Sequence, residues 1–144
     1  MQLNSLEQTI LQMLLAGDDT VLALLRTQRE AATIVSRKMT GVGFFIHFAV
    51  PESIERTTPQ HFVIGDVSGS LSSLANGAGF LLFIKNGVLS CLEGYTYNEG
   101  WPSEPRLTEV YYIHHVPADS PRMLRCAVRD LKQLRANWSN KQGI

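Results

Sequence analysis

The sequence lacks both a long hydrophobic run and a leader-like start. No stretch of its 144 residues approaches the roughly 20 apolar residues that cross a bilayer. No basic segment stands ahead of an apolar one at the N-terminus, as it would in a secretory signal. The only two cysteines, Cys91 and Cys126, are far apart, which suits reduced thiols better than a disulfide framework. We therefore expect a cytoplasmic protein that does not contact a membrane.

Signatures of catalysis and of metal binding are also missing. The Gly-x-Gly pairs at 41–43 and 77–79 each lead into a predicted strand, so neither presents a helix N-terminus to a phosphate. There is no Walker lysine, no Gly-x-Ser-x-Gly elbow and no zinc-spaced Cys or His pair. His114 and His115 point to opposite faces of a strand and cannot share one metal ion. We expect no cofactor and no metal site, and the absences favour a protein that is not an enzyme.

Charge of one sign is not in excess either. Thirteen basic residues balance thirteen acidic ones, so the strong positive field of a nucleic-acid-binding protein is missing. The 44% apolar content is ordinary for a folded chain, and the length fits one domain over residues 1–144. The two signs of charge are not evenly distributed along the chain, because residues 120–141 hold six cations and one anion.

Two helices are predicted at the N-terminus. Ser5 and Gln8 offer a capping box, and apolar residues recur at helical spacing over the next turns. Asp18 and Asp19 restart the pattern as N-cap and first-turn acid of a second helix that continues toward Ala32. The apolar surface is wider than one stripe, so this helical hairpin either lies deep in the core or covers a partner.

About six strands are predicted after the helices, because β-branched and aromatic residues cluster between turn residues. They cover residues 33–39, 44–50, 62–67, 80–84, 88–97 and 109–116. Asn86-Gly87 between two apolar runs predicts a tight hairpin, and residues 68–79 are predicted as a loop. No helix alternates with the strands, so the fold class is α+β with an antiparallel sheet.

The last predicted element is an amphipathic helix over residues 121–138, with a proline in its first turn. Helical spacing places Arg122, Arg125, Arg129 and Lys132 on one side and apolar residues on the other. The apolar side is expected to dock. The cationic side is either a solvated surface or a contact for an acidic partner protein.

The strand that contains Glu93 is the most unusual stretch. Alternation on a strand places Leu89, Cys91, Glu93, Tyr95 and Tyr97 on one face, so a carboxylate stands in an apolar and aromatic row. Burial would raise the pKa of this carboxyl unless a cation or hydrogen-bond donors hold the ionised form. Two interpretations stay open, a structural pair with an arginine or a tyrosine hydroxyl, and a functional acid. The candidate ligand-binding residues are Glu93, Tyr95, Tyr97, Trp101 and His47, with the turn 98–102 as a roof.

The same stretch carries a resemblance. It runs through Gly79-Phe80-Leu81-Leu82-Phe83-Ile84, Asn86-Gly87, Leu92-Glu93-Gly94-Tyr95-Thr96-Tyr97 and Trp101-Pro102. This series, within residues 43–102, resembles a segment of small uncharacterised bacterial proteins, some of them suspected immunity partners of contact-dependent toxins. The resemblance implies a binding protein and names no site.

Two functions therefore stay open. The first is a non-enzymatic interaction protein, either a homodimer or an antidote-like binder of another protein. The alternative is a small enzyme or ligand-binding domain that uses Glu93, Tyr95 and Tyr97, with His47 or His61. A deep pocket reached by Glu93 would favour the alternative, and a flat exposed surface would favour the interaction protein.

Overall fold

A computed structural model describes residues 1–115 and 123–142. The helices are α1 (Ser5–Leu14), α2 (Thr20–Ala31) and α3 (Leu131–Gln142), and the strands are β1 (Thr33–Met39), β2 (Gly43–Ala49), β3 (Phe62–Leu71), β4 (Ala78–Lys85), β5 (Val88–Thr96), β6 (Leu107–His115) and β7 (Met123–Cys126). None of these helices is both long and apolar enough to cross a membrane.

All the described strands belong to one antiparallel sheet, in the order β1-β2-β5-β4-β3-β6-β7. This confirms the predicted α+β class, with a helical hairpin before the sheet and a helix after it. The sheet has seven strands instead of about six. The predicted loop 68–79 is wrong in its first part, because β3 continues through Ser68, Gly69 and Ser70 to Leu71 while pairing with β4 and β6.

The helices cover one face of the sheet, and the core lies between the two layers. Ile46, Leu92, Leu82 and Ile64 stand opposite one another on β2, β5, β4 and β3, and each has no exposed surface. The side chains of Ile10, Leu11, Leu14, Leu22 and Leu25 meet them from α1 and α2 and are equally buried. The hairpin therefore lies deep in the core of the chain.

The helix starts lie one residue away from the predicted ones. Asn4 caps α1, since its side chain accepts the Glu7 amide at 2.9 Å and the Glu7 carboxylate accepts the Asn4 amide at 2.9 Å. Arg37 on β1 also binds this carboxylate, at 2.9 Å from its Nε. That tertiary ion pair favours Glu7 over Gln8 as the box partner. In α2, Asp19 is the N-cap and accepts the amides of the next turn.

A bulge in β5 changes which residues share a face. Leu89 pairs with Ile84, whereas Cys91 pairs with Phe83, so Ser90 has no partner of its own. Leu89 consequently points to the helices and is 1% exposed. The prediction that Leu89 lies on the same face as Glu93 is wrong, because simple alternation does not anticipate a bulge.

The predicted helix over 121–138 is wrong in its first half. Residues 123–126 form β7, which pairs with β6 from Tyr112 to His115, and α3 begins only at Leu131. Asp130 precedes α3 and accepts the Gln133 amide at 3.0 Å, which is the contact of an N-cap. A strand edge available for pairing outweighs the weak helical preference of this segment.

Candidate functional site

The face of the sheet opposite the helices, here called the open face, carries partly exposed apolar and aromatic side chains. Phe45, Glu93 and Leu81 stand opposite one another on β2, β5 and β4. The next row along the strands contains His47, Cys91, Phe83 and Val63. Except for the buried Cys91, these residues are half-buried or exposed.

Glu93 lies in the middle of the open face. Its carboxyl is half-buried, and burial raises its pKa. Among the described residues, no cation and no hydrogen-bond donor contacts it. The structural pair, one of the two interpretations that the sequence left open, is therefore not formed within the described part of the chain. Nor does Glu93 belong to the wall of the cavity between β3, β6 and α3 that is described below.

Tyr95 and Tyr97 form an edge-to-face pair, with ring centroids 5.5 Å apart and planes at 79°. The Tyr95 ring lies across β4 over Gly79, where an added Cβ would come within 2.4 Å of it. Burial first, then a hydrogen bond with Tyr97, raises the pKa of Tyr95 to about 12. At neutral pH Tyr95 is therefore a phenol that donates or accepts a hydrogen bond, and it cannot act as a base.

The other two candidate ligand residues lie on different faces. His47 is exposed on the open face, opposite Cys91. Trp101 packs edge-on against Phe44, with ring centroids 5.3 Å apart, and Phe44 belongs to the helix-covered core. The prediction that the turn 98–102 roofs Glu93 is therefore wrong. The Trp101 amide binds the Gly41 carbonyl at 2.8 Å, which holds this turn on the far side of the sheet.

The predicted cationic stripe does not form on one helix. Arg125 lies on β7 with its guanidinium 4.6 Å from the centre of the Tyr111 ring. Arg129 precedes α3 and binds both carboxylate oxygens of Asp66, at 2.7 and 2.8 Å. Lys132 is exposed on α3, and Arg122 lies outside the described residues. A partner contact by these cations stays a prediction, but their arrangement on one helical face is wrong.

A cavity of about 540 Å³ opens where β6 diverges from β3. Its wall includes Tyr95 and Tyr97 from the predicted set, and it adds polar residues that sequence reasoning missed: Asp66, Ser68, His114, Asp130, Gln133 and Asn137. The last three recur at i, i+3 and i+7, a polar stripe on α3 that the sequence could have signalled. Asp66, Ser68 and His114 come together at the cavity only because β3 and β6 diverge, which the sequence does not signal.

Among the described residues, no three His, Cys, Asp or Glu side chains come close enough to hold a metal ion. No known protein family, curated protein or solved structure matches this chain. A proposal on function therefore depends on the geometry of the open face and of the cavity.

Proposed function

We propose that the protein is a non-enzymatic binding protein that assembles face to face with a second copy of itself through the open face of its sheet. The observation that carries this proposal is Glu93, a half-buried carboxylate without a partner among the described residues and surrounded by apolar and aromatic side chains. A carboxylate in such surroundings is unfavourable until a cation or donor reaches it. A docked surface that brings a cation would remove that cost.

The chain itself has a suitable cation on the same face. Lys85 is exposed and follows Leu81 and Phe83 by strict alternation along β4. Glu93 and Lys85 lie on opposite sides of Cys91 along the strands. Burial raises the pKa of the Cys91 thiol, Glu93 raises it further and Lys85 lowers it, so the thiol feels both charges. Within one copy Lys85 does not contribute to the pKa of Glu93.

A two-fold axis across the strands, above Cys91 and Phe83, would exchange the two ends of this arrangement. Each Glu93 would then lie beside Lys85 of the partner copy, one strand spacing away, within reach of the long lysine side chain. Packed sheets sit about 10 Å apart and cross at about −30°, a geometry that follows from the ordinary twist of two sheets. The Phe83 side chains would meet near the axis.

The size of the face sets the expected affinity. Strand spacing and rise give the part from β1 to β3 about 550 Å² per copy, or roughly 1,100 Å² for the pair. That is the lower end of specific interfaces, where association is weak and reversible. We therefore expect a dimer with a dissociation constant in the micromolar range.

The sheet edge at β1 is a weaker site for self-association. The register shift between Ile34 and Ser36 leaves Val35 as an extra residue in β1, and Lys38 is exposed farther along the same strand. A bulge and a lysine are the means by which sheet edges avoid pairing with other chains. Association through the open face is therefore favoured over extension of the sheet.

Exchanging the charges of Glu93 and Lys85 tests the proposal. The dissociation constant of the dimer is measured by sedimentation velocity over a range of protein concentrations. Glu93→Lys and Lys85→Glu should each weaken the dimer, because each creates like charges across the interface. An equimolar mixture of the two variants should form a heterodimer about as tight as the parent dimer, since both pairs become complementary. Restored dimerisation in the mixture would show that the two charges meet between copies, because a contact within one copy cannot be restored by mixing.

Glu30→Lys is the matched control, because it makes the same charge change on the exposed side of α2. It should leave the dimer unchanged. A parent chain that is monomeric at every concentration would overturn the second copy as the occupant. A different protein, as the resemblance of residues 43–102 implies, would then be the candidate for the same face.

A further inference from the structure

The cavity between β3, β6 and α3 arises from a divergence of two paired strands. β6 pairs with β3 only as far as Val67, and from Tyr112 onward it pairs with β7. The gap beside the first half of β3 is bordered by α3, which packs through Trp138 on the Phe62 ring at 4.8 Å. The resulting volume of about 540 Å³ is within the range of small-molecule sites.

The polar groups of this cavity come from three elements. Gln133 and Asn137 belong to α3, and Asp130 is the residue that caps it. Asp66 and Ser68 belong to β3, and His114 belongs to β6. The His114 Nε2 atom is buried and has no hydrogen-bond partner among the described residues. A buried ring nitrogen without a partner is costly, so a ligand that supplies one would gain binding energy there.

One of the two carboxylates at the cavity is already paired with a cation. Asp66 is held by two hydrogen bonds from Arg129, whose guanidinium also donates to the Ala16 carbonyl at 2.6 Å. Asp130 lies at the positive end of α3 and accepts the Gln133 amide. Because Asp66 is already paired with Arg129, a cationic ligand would gain only the N-capping Asp130. An anionic ligand would meet two carboxylates without a free cation among the described lining residues.

The hydrogen-bond donors and acceptors that remain at the cavity wall suit hydroxyl groups. Each carboxylate oxygen keeps a lone pair, and the Gln133 and Asn137 amides each offer two donors and an acceptor. Hydroxyl groups both donate and accept, so a ligand with several of them can satisfy carboxylates, amides and the His114 nitrogen together. Groups of one sign or with only one hydrogen-bonding role cannot do this.

The apolar part of the wall fits the same kind of ligand. Leu81 lies over Gly65, where an added Cβ would come within 2.5 Å of its side chain. With the Tyr95 and Tyr97 rings it gives a platform beside the polar stripe of α3. The C–H face of a sugar ring packs on such a surface while its hydroxyls point to the polar side chains.

We infer that this cavity binds a neutral, hydroxyl-rich ligand of monosaccharide to disaccharide size. The ligand is held between the Tyr95–Tyr97 platform on one side and Gln133 and Asn137 of α3 with its N-cap Asp130 on the other. The cavity shares Leu81 and Val63 with the open face, so sugar binding is measured at concentrations that keep the chain monomeric. Its test residues lie on α3, and the residues that test the dimer, Glu93 and Lys85, do not line the cavity. Either proposal can therefore fail while the other stands.

Saturation-transfer NMR on the full chain tests the inference with glucose, galactose, mannose, N-acetylglucosamine and maltose as separate probes. We expect transfer from the protein to the C–H protons of at least one sugar, with a millimolar dissociation constant typical of small polar ligands. Asn137→Leu should weaken binding about tenfold, because it removes amide contacts and leaves its ligand hydroxyls unpaired. Gln133→Leu should act in the same direction.

Lys132→Leu is the matched control, since Lys132 is exposed on α3 and does not line the cavity. It should bind the sugar as the parent does, and circular dichroism should show the same fold in all three variants. Absence of transfer to every sugar would overturn the inference. So would sugar binding that Asn137→Leu and Gln133→Leu leave unchanged, or tighter binding of arginine than of any sugar in the same assay.

Discussion

The two faces of the sheet are built from the same strands and differ in almost every physical property. Leu82 on β4 has no exposed surface, whereas its neighbour Leu81 points the other way and is half-buried. The same contrast separates Ile46 from Phe45 and Leu92 from Glu93. The helix-covered face is fully packed, whereas the open face leaves apolar area and the Glu93 carboxylate uncovered by the described residues.

The acidic groups of the two sides show the same difference. Burial alone would raise the pKa of Asp19, but hydrogen bonds from Arg135 and from the amides of Leu22 and Val21 outweigh it and lower that pKa. Burial also raises the pKa of Glu93, and no group in the described part of the chain opposes that rise. The helix layer stabilises an ionised carboxylate that caps a helix, whereas the open face holds one at a cost.

The largest expected effect compares two adjacent leucines. Leu82→Ala should lower the free energy of unfolding by about 2–5 kcal/mol, because it leaves a cavity between the sheet and the helices. Leu81→Ala removes the same atoms from the open face and should cost less than about 1.5 kcal/mol. Urea unfolding at concentrations that keep the chain monomeric measures both. Equal losses would mean that the open face is as fully packed as the covered one.

A smaller effect is expected at the border between the faces, where Arg129 pairs with Asp66. Their side chains are 5% and 16% exposed, so Arg129→Met leaves a largely buried carboxylate unpaired. We expect a loss of about 3 kcal/mol in the free energy of unfolding. Arg125→Met is the control, since among the described residues its guanidinium stacks on Tyr111 and makes no ion pair, and it should cost about 1 kcal/mol or less. A loss at Arg129 no greater than the control would show that this pair is solvated.

The smallest effect is a difference in pH dependence between the two carboxylates. The pKa of Asp19 is lowered by folding, so its stabilisation is present above the unfolded-state pKa and is lost as the pH falls through the folded-state pKa. The pKa of Glu93 is raised, so its contribution is favourable in acid and is lost as the pH rises through the folded-state pKa. The two should therefore respond to neutral substitution with opposite sign.

At neutral pH, Asp19→Asn should lower the free energy of unfolding by about 1 kcal/mol, a modest value because Arg135 is half exposed and asparagine still caps a helix. Glu93→Gln should raise the midpoint temperature of unfolding in dilute solution. Both differences should vanish below pH values at which the carboxyls are protonated. Thermal unfolding across this pH range checks them, and a destabilising Glu93→Gln in the monomer would contradict the unpaired carboxylate.

Local chemistry accounts for the features that were predictable. Asn-Gly at 86–87 sets a hairpin by its own backbone preferences, and Asn86 and Gly87 both adopt positive φ there. Apolar spacing along residues 5–31 indicates two helices that bury a broad surface, and β-branched residues indicate β1 with its observed bounds. The sequence also predicts that Glu93 and Tyr95 share a face of β5, because the alternation of side chains along a regular strand depends only on neighbouring residues.

What the sequence by itself determined is therefore the α+β class, the helical hairpin and the aromatic row around Glu93, all consequences of contacts between near neighbours. The tertiary structure decided the rest. Pairing with β6 turned residues 123–126 into a strand, and the bulge at Ser90 separated Leu89 from Glu93. The cavity brings residues from 63 to 137 together because β3 and β6 diverge, and long-range pairing of that kind leaves no periodic trace in the chain.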